Sequence, residues 1–157
     1  METCRNRILH RNSMKAAYLF SIIFLLTGCT TKGPAISKIS FQADACFGEC
    51  PIFAMSILKD GTAYYHAEMF NKQQGEFKAT IKKPQLHSLI ELIQQANVIS
   101  LRDKYSTEIT DQPTYTLKVQ FSNGQQKTIE DYGPCGPKKL DKIYDLIFSL
   151  RETQDWK

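Results

Sequence analysis

Residues 52–70 read IFAMSILKDGTAYYHAEMF. Apolar and polar side chains alternate on both sides of Lys59-Asp60-Gly61, and a period of two sends one set to a buried sheet face and the other outward. Asp-Gly is a favoured pair in tight hairpins, where the backbone needs positive φ. The stretch therefore predicts two antiparallel strands, 52–58 and 62–70. Ala63, Tyr65, Ala67 and Met69 fall on one face of the second strand, and Tyr64, His66, Glu68 and Phe70 on the other.

The pattern extends in both directions. Upstream, Ile39, Phe41 and Ala43 alternate with polar neighbours, and downstream Phe77, Ala79 and Ile81 do the same. Leu86, Leu89, Ile90, Ile93 and Ala96 then recur at helical spacing behind Pro84, a residue suited to the first helical turn because its missing N–H is not needed there. Residues 100–113 have no clear period, after which the plan starts over. Tyr115, Leu117, Val119 and Phe121 alternate, Asn123-Gly124 marks a turn, 127–132 returns as a strand, and Pro137 opens a helix with Leu140, Ile143, Tyr144, Ile147 and Leu150 on its inner side. Two hairpin-then-helix units imply a ββα pseudo-repeat. The expected fold is α+β: one antiparallel sheet of about five or six strands with both helices on a single face. The other face is then a candidate binding surface, with Tyr64, His66 and Phe70 as its residues.

The chain has 157 residues and a formal charge of +4. Arg5, Arg7, Arg11 and Lys15 stand against Glu2 in the first 28 positions, so from Cys29 onward 16 of the 20 basic and 15 of the 16 acidic residues remain, a net +1. That is too little for an electrostatic footprint on a phosphate backbone, and no nucleic-acid partner is expected.

Residues 14–29, MKAAYLFSIIFLLTGC, join a positive start to an apolar run of about a dozen residues, long enough for a signal-peptide core and short of the roughly 20 that span a bilayer. Leu26-Thr27-Gly28-Cys29 resembles the lipobox of bacterial lipoproteins. The resemblance implies cleavage after Gly28 and acylation of Cys29, which holds a protein stably on a membrane when two or more chains are attached. The expected domains are a signal peptide (1–28), a lipidated cysteine and tether (29–35) and a single folded domain (36–157). No acidic run follows Cys29 to mark passage to the cell surface, so the expected place is the cell envelope, on the outer membrane and facing the periplasm.

Export to an oxidising compartment favours bonded thiols. Of Cys46, Cys50 and Cys135, only two can pair with each other. Chain entropy gives about 2 kcal/mol for the short Cys46–Cys50 loop and about 4.6 kcal/mol for Cys46–Cys135, whereas local encounter favours the short loop, and Gly48 and Pro51 suit a tight cysteine turn. The reading pairs Cys46 with Cys50 and leaves Cys135 as the odd thiol. The alternative for CFGECP, residues 46–51, is thiol chemistry. CxxxCP resembles the copper motif of the Sco assembly proteins, implying a Cu(I) or redox site on a thioredoxin-like fold. There, however, a helix follows the motif, and a ligating histidine lies far downstream. Here 52 onward reads as strand and the histidines end at His87. Asp103, Glu108 and Asp111 lack calcium-loop spacing, and the lysine pairs beside Pro84 and Pro137 read as solvated. No motif calls for a cofactor or commits the chain to a reaction.

CFGECPIF, Asp60-Gly61 followed by Ala63-Tyr64-Tyr65, ITDQPTY from Ile109, IEDYGPCGP from Ile129 and the closing Asp155-Trp156 together resemble a small bacterial family known as domain of unknown function 6438. The resemblance runs in order along nearly the whole mature chain and implies an exported single domain with the paired cysteines; Cys135 departs from it. The expected role is a lipid-anchored, non-catalytic binding or structural module whose partners are the membrane and an envelope protein.

Overall fold

A computed structural model describes residues 33–157, a single sheet with two helices packed on one face. In chain order the strands are β1 (Ile36–Ala43), β2 (Phe53–Leu58), β3 (Thr62–Ala67), β4 (Gly75–Thr80), β5 (Lys104–Ser106), β6 (Thr114–Phe121) and β7 (Gln126–Tyr132). Helix α1 (Lys83–Ala96) lies between β4 and β5, and α2 (Lys138–Thr153) follows β7. The order across the sheet is β4-β3-β2-β1-β6-β7-β5. The two hairpins β2–β3 and β6–β7 thus flank a central β1 that pairs antiparallel with both β2 and β6.

The α+β class and the single helical face agree with the sequence reading, but the sheet has seven strands and is not wholly antiparallel. The additional strand, β5, falls in the stretch that shows no period. It has three residues and runs parallel to β7, Tyr105 opposite Asp131. A strand this short cannot display an alternation. Its direction follows from its origin, since it arrives from a helix rather than through a hairpin.

Alternation decides the two faces. Ile39, Phe41, Phe53, Met55, Ile57, Tyr65, Leu117, Val119 and Ile129 are buried beneath Leu89 and Ile93 of α1 and Leu140, Ile143, Ile147 and Leu150 of α2. Phe41, Phe53, Tyr115, Tyr144 and Phe148 form one aromatic cluster with ring centroids 5.2–5.8 Å apart, the spacing at which tilted and edge-on rings attract. The helices run antiparallel: the Lys82 N–H at the start of α1 donates to Gln154 Oε1 beyond the end of α2, at 3.1 Å. Gly61 takes φ +90° in the β2–β3 turn, where the Asp60 carboxylate accepts the Thr62 N–H at 2.9 Å; that bond holds the Asp60 pKa below its ordinary value.

One carboxylate belongs to the buried face. Asp131 shares its strand face with Ile129, is fully buried, and accepts the N–H of Cys135 at 2.9 Å, the N–H of Gly136 at 3.2 Å and the Tyr144 hydroxyl at 3.3 Å. A Cβ at position 136 would lie 2.8 Å from Asp131 Oδ2 and 2.9 Å from Leu140 Cδ1, so glycine is required there for close approach. The bonds tie residues 133–137 to the end of β7 and aim the chain into α2. Charge-assisted hydrogen bonds of this kind contribute about 1.5–3 kcal/mol each.

Replacing Asp131 by asparagine is expected to cost about 1.5–3 kcal/mol in urea unfolding, because the amide leaves one of these donors unmatched. Alkaline pH tests the same region. Burial raises the phenol pKa of Tyr65, Tyr115 and Tyr144 above 10.0, and the Asp131 carboxylate pushes Tyr144 further. The fold keeps these phenols protonated while the unfolded chain ionises them. Stability is therefore expected to be level below the ordinary tyrosine pKa of about 10 and to fall above it, with a shallower fall in Tyr144→Phe.

Candidate binding face and the disulfide loop

The face of the sheet opposite the helices carries two cross-strand rows of polar side chains. One runs Lys78, Tyr64, Ser56, Ser40, Lys118 and Thr128 from β4 to β7, and the next runs Glu76, His66, Ala54, Gln42, Thr116 and Glu130. The small Ser40, Ser56 and Ala54 in mid-sheet leave a shallow groove of about 300 Å³, bordered by Tyr64, His66 and Glu76 on one side and by Thr116 and Lys118 on the other.

Tyr64 and His66 therefore meet in this groove. Tyr64 is 46% exposed, and Lys78 Nζ lies 5.6 Å from its ring centroid, within cation–π range. His66 sits between two carboxylates, Nδ1 2.5 Å from Glu76 Oε1 and Nε2 3.5 Å from Glu68 Oε1. The groove thus offers an aromatic edge, an imidazole, a carboxylate, serine hydroxyls and the Lys118 ammonium. These groups can form hydrogen bonds and recognise charge.

Phe70 is placed elsewhere. β3 ends at Ala67, and Phe70 lies in the β3–β4 loop with φ 57°, its side chain 45% exposed. Met69, inward by alternation, is 51% exposed in the same loop. The chain leaves the sheet because the Asn71 amide donates to the carbonyls of Ile52 and Met69, at 2.7 and 2.8 Å, and Asn71 Oδ1 accepts from Tyr65 and Arg151. The Arg151 guanidinium carbon stands over both Phe53 and Phe148, 4.9 Å from each ring centroid. Neither Asn71 nor Arg151 stands out in the sequence; they are 80 positions apart, and only folding joins them.

Cys46 and Cys50 are joined in a disulfide with Cα atoms 5.8 Å apart. Bonded to each other, the two sulfurs offer no thiolate to a metal, and β2 follows in place of the helix a thioredoxin-like site needs. Among the described residues no three His, Cys, Asp or Glu side chains group closely enough to hold a metal ion. Cys135 is a free, exposed thiol, its pKa raised first by desolvation and then by Asp131. Gly28 and Cys29 lie outside the described residues. Because the disulfide closes a loop between positions only four apart, the double substitution Cys46→Ala, Cys50→Ala is expected to cost about 2 kcal/mol in denaturant unfolding.

The family described as domain of unknown function (DUF6438) matches residues 37–151, from the second residue of β1 into the last turn of α2. No curated protein matches the chain. The match takes in every strand and both helices, and the chain belongs to the DUF6438 family.

Proposed function

We propose that this chain is a lipid-anchored protein of the bacterial cell envelope that uses the uncovered sheet face as a non-catalytic binding surface. The observation that carries the binding role is the groove bordered by Tyr64, His66, Glu76 and Lys118, on a sheet whose other face is fully occupied by helices. A sheet covered on one side commonly leaves its other side to water, and here that side concentrates an aromatic ring, an imidazole and charges of both signs around small residues.

The anchoring rests on the sequence alone, on the apolar run before Leu26-Thr27-Gly28-Cys29. On this reading an acylated Cys29 is followed by a tether of a few residues, which at about 3.4 Å per extended residue keeps the domain within roughly 20 Å of the lipid surface. The partner is then a component of the same envelope, and the placement is the outer membrane facing the periplasm.

Two measurements test the two parts separately. Intact-mass analysis of the protein from its own cells is expected to show a chain beginning at Cys29 with acyl additions, lost in Cys29→Ser; a soluble unmodified product would overturn the anchoring. Crosslinking and affinity capture from the envelope with the acylated protein, repeated with Tyr64→Ala and His66→Ala, is expected to lose its partner at least tenfold with an unchanged melting temperature. Capture indifferent to both substitutions would overturn the binding face.

A further inference from the structure

The end of the sheet at which β1 finishes carries a second exposed surface, distinct from the groove. β1, β3, β5 and β7 end there, and β2, β4 and β6 begin there. Four loops therefore gather at one end: 44–52, 68–74, 107–113 and 133–137. They are laced together by backbone hydrogen bonds. The Phe47 N–H donates to Asp111 O at 3.1 Å, the Ile52 N–H to Met69 O at 2.9 Å and the Gly133 N–H to Pro113 O at 2.9 Å. The disulfide braces the first loop, and Asn71 pins the second. The assembly is a preorganised surface, of the kind that binds with little loss of conformational freedom.

What it presents is apolar. Of the six large hydrophobic side chains exposed among the described residues, four stand on these loops: Phe47, 88% exposed, Ile109, 66%, Met69, 51%, and Phe70, 45%. Phe47 projects from a loop held in shape by the disulfide, where nothing else in the domain covers it. Phe70 keeps a left-handed backbone, φ 57°, a costly conformation for a bulky residue. Aromatic side chains exposed together on a rigid platform are the usual anchors of a protein interface.

The charge around them selects the partner. The four loops contain Asp44, Glu49, Glu68, Glu108 and Asp111 against one base, Lys72, which is ion-paired with Glu152. Apolar anchors rimmed by carboxylates repel an anionic lipid surface and also repel a second copy of the same end, and they complement a cationic partner.

We propose that this loop end is a docking surface for a protein segment that carries cationic and apolar side chains, with Phe47 as its principal anchor. The surface is independent of the groove, because none of its four apolar residues borders that groove.

The test uses the full-length protein in the cells that make it, with photoactivatable p-benzoylphenylalanine replacing Phe47 and, as a control, replacing Ile99 on the turn after α1. After irradiation, the crosslinked peptide is sequenced by mass spectrometry. The expected product from position 47 is one protein, joined through a segment of net positive charge with apolar side chains, and absent from the position 99 control. Glu49→Lys combined with Glu108→Lys is expected to reduce its yield at least tenfold with an unchanged melting temperature, both side chains being exposed. Crosslinks to lipid, to a second copy of the chain or to an acidic or uncharged segment would overturn the proposal, as would no crosslink or a yield indifferent to charge reversal.

Discussion

The two halves of the sheet meet at a single seam, the pairing of β1 with β6. On one side of it β2, β3 and β4 follow one another through turns. On the other, β7 attaches to β6 and β5 to β7. β1 belongs to the first half in sequence and faces the second along its whole length, Ile39 opposite Val119, Phe41 opposite Leu117 and Ala43 opposite Tyr115. A shift of one residue at this seam would turn Phe41 out to water and Gln42 into the aromatic cluster, because the side-chain period along a strand is two. The continuity of both faces across the sheet depends on that one alignment.

The seam also decides what each face can do. Every inward position along β1 is taken by the core, so chemistry is confined to the outward positions and to the loops. Three outward positions in mid-sheet are small, Ser40, Ser56 and Ala54, and Tyr64, His66, Thr116 and Lys118 stand on the strands to either side. A concave strip results without any break in the strands. Edges are handled separately. The outer edge of β4 is occupied in part by Lys157, which exchanges two backbone hydrogen bonds with Lys78, and the opposite edge ends in the three-residue β5. A short or covered edge gives another sheet little to pair with.

Much of this was legible in the sequence because alternation and helical spacing are local. The inner positions of α2 and the faces of β2, β3 and β6 could be read residue by residue, and so could the disulfide, whose partners are neighbours. What was not legible depends on distant groups. β5 exists because Glu130 N–H finds Asp103 O and Tyr105 lies beside Asp131, and three residues carry no pattern. Alternation extended three residues past the end of β3 puts Phe70 on the open face, whereas Asn71, held by Ile52 and Arg151, takes the chain out of the sheet. Asp131 has the inward parity of Ile129, so its position could be inferred; its partners Gly136 and Tyr144 converge on it only in the folded chain.

β1 is both the first strand of the domain and the central one, held along each side by an antiparallel neighbour. Tension applied at the amino-terminal end of β1 and resisted at the loop end runs along the strand axis, across ladder bonds that lie perpendicular to it. The load is then shared in shear by the bonds to β2 and β6 together. Had the same segment formed an outer strand, the same pull would have been borne by a single ladder. A domain held from its amino-terminal side and loaded at its loops would thus meet the force along a strand braced on both sides.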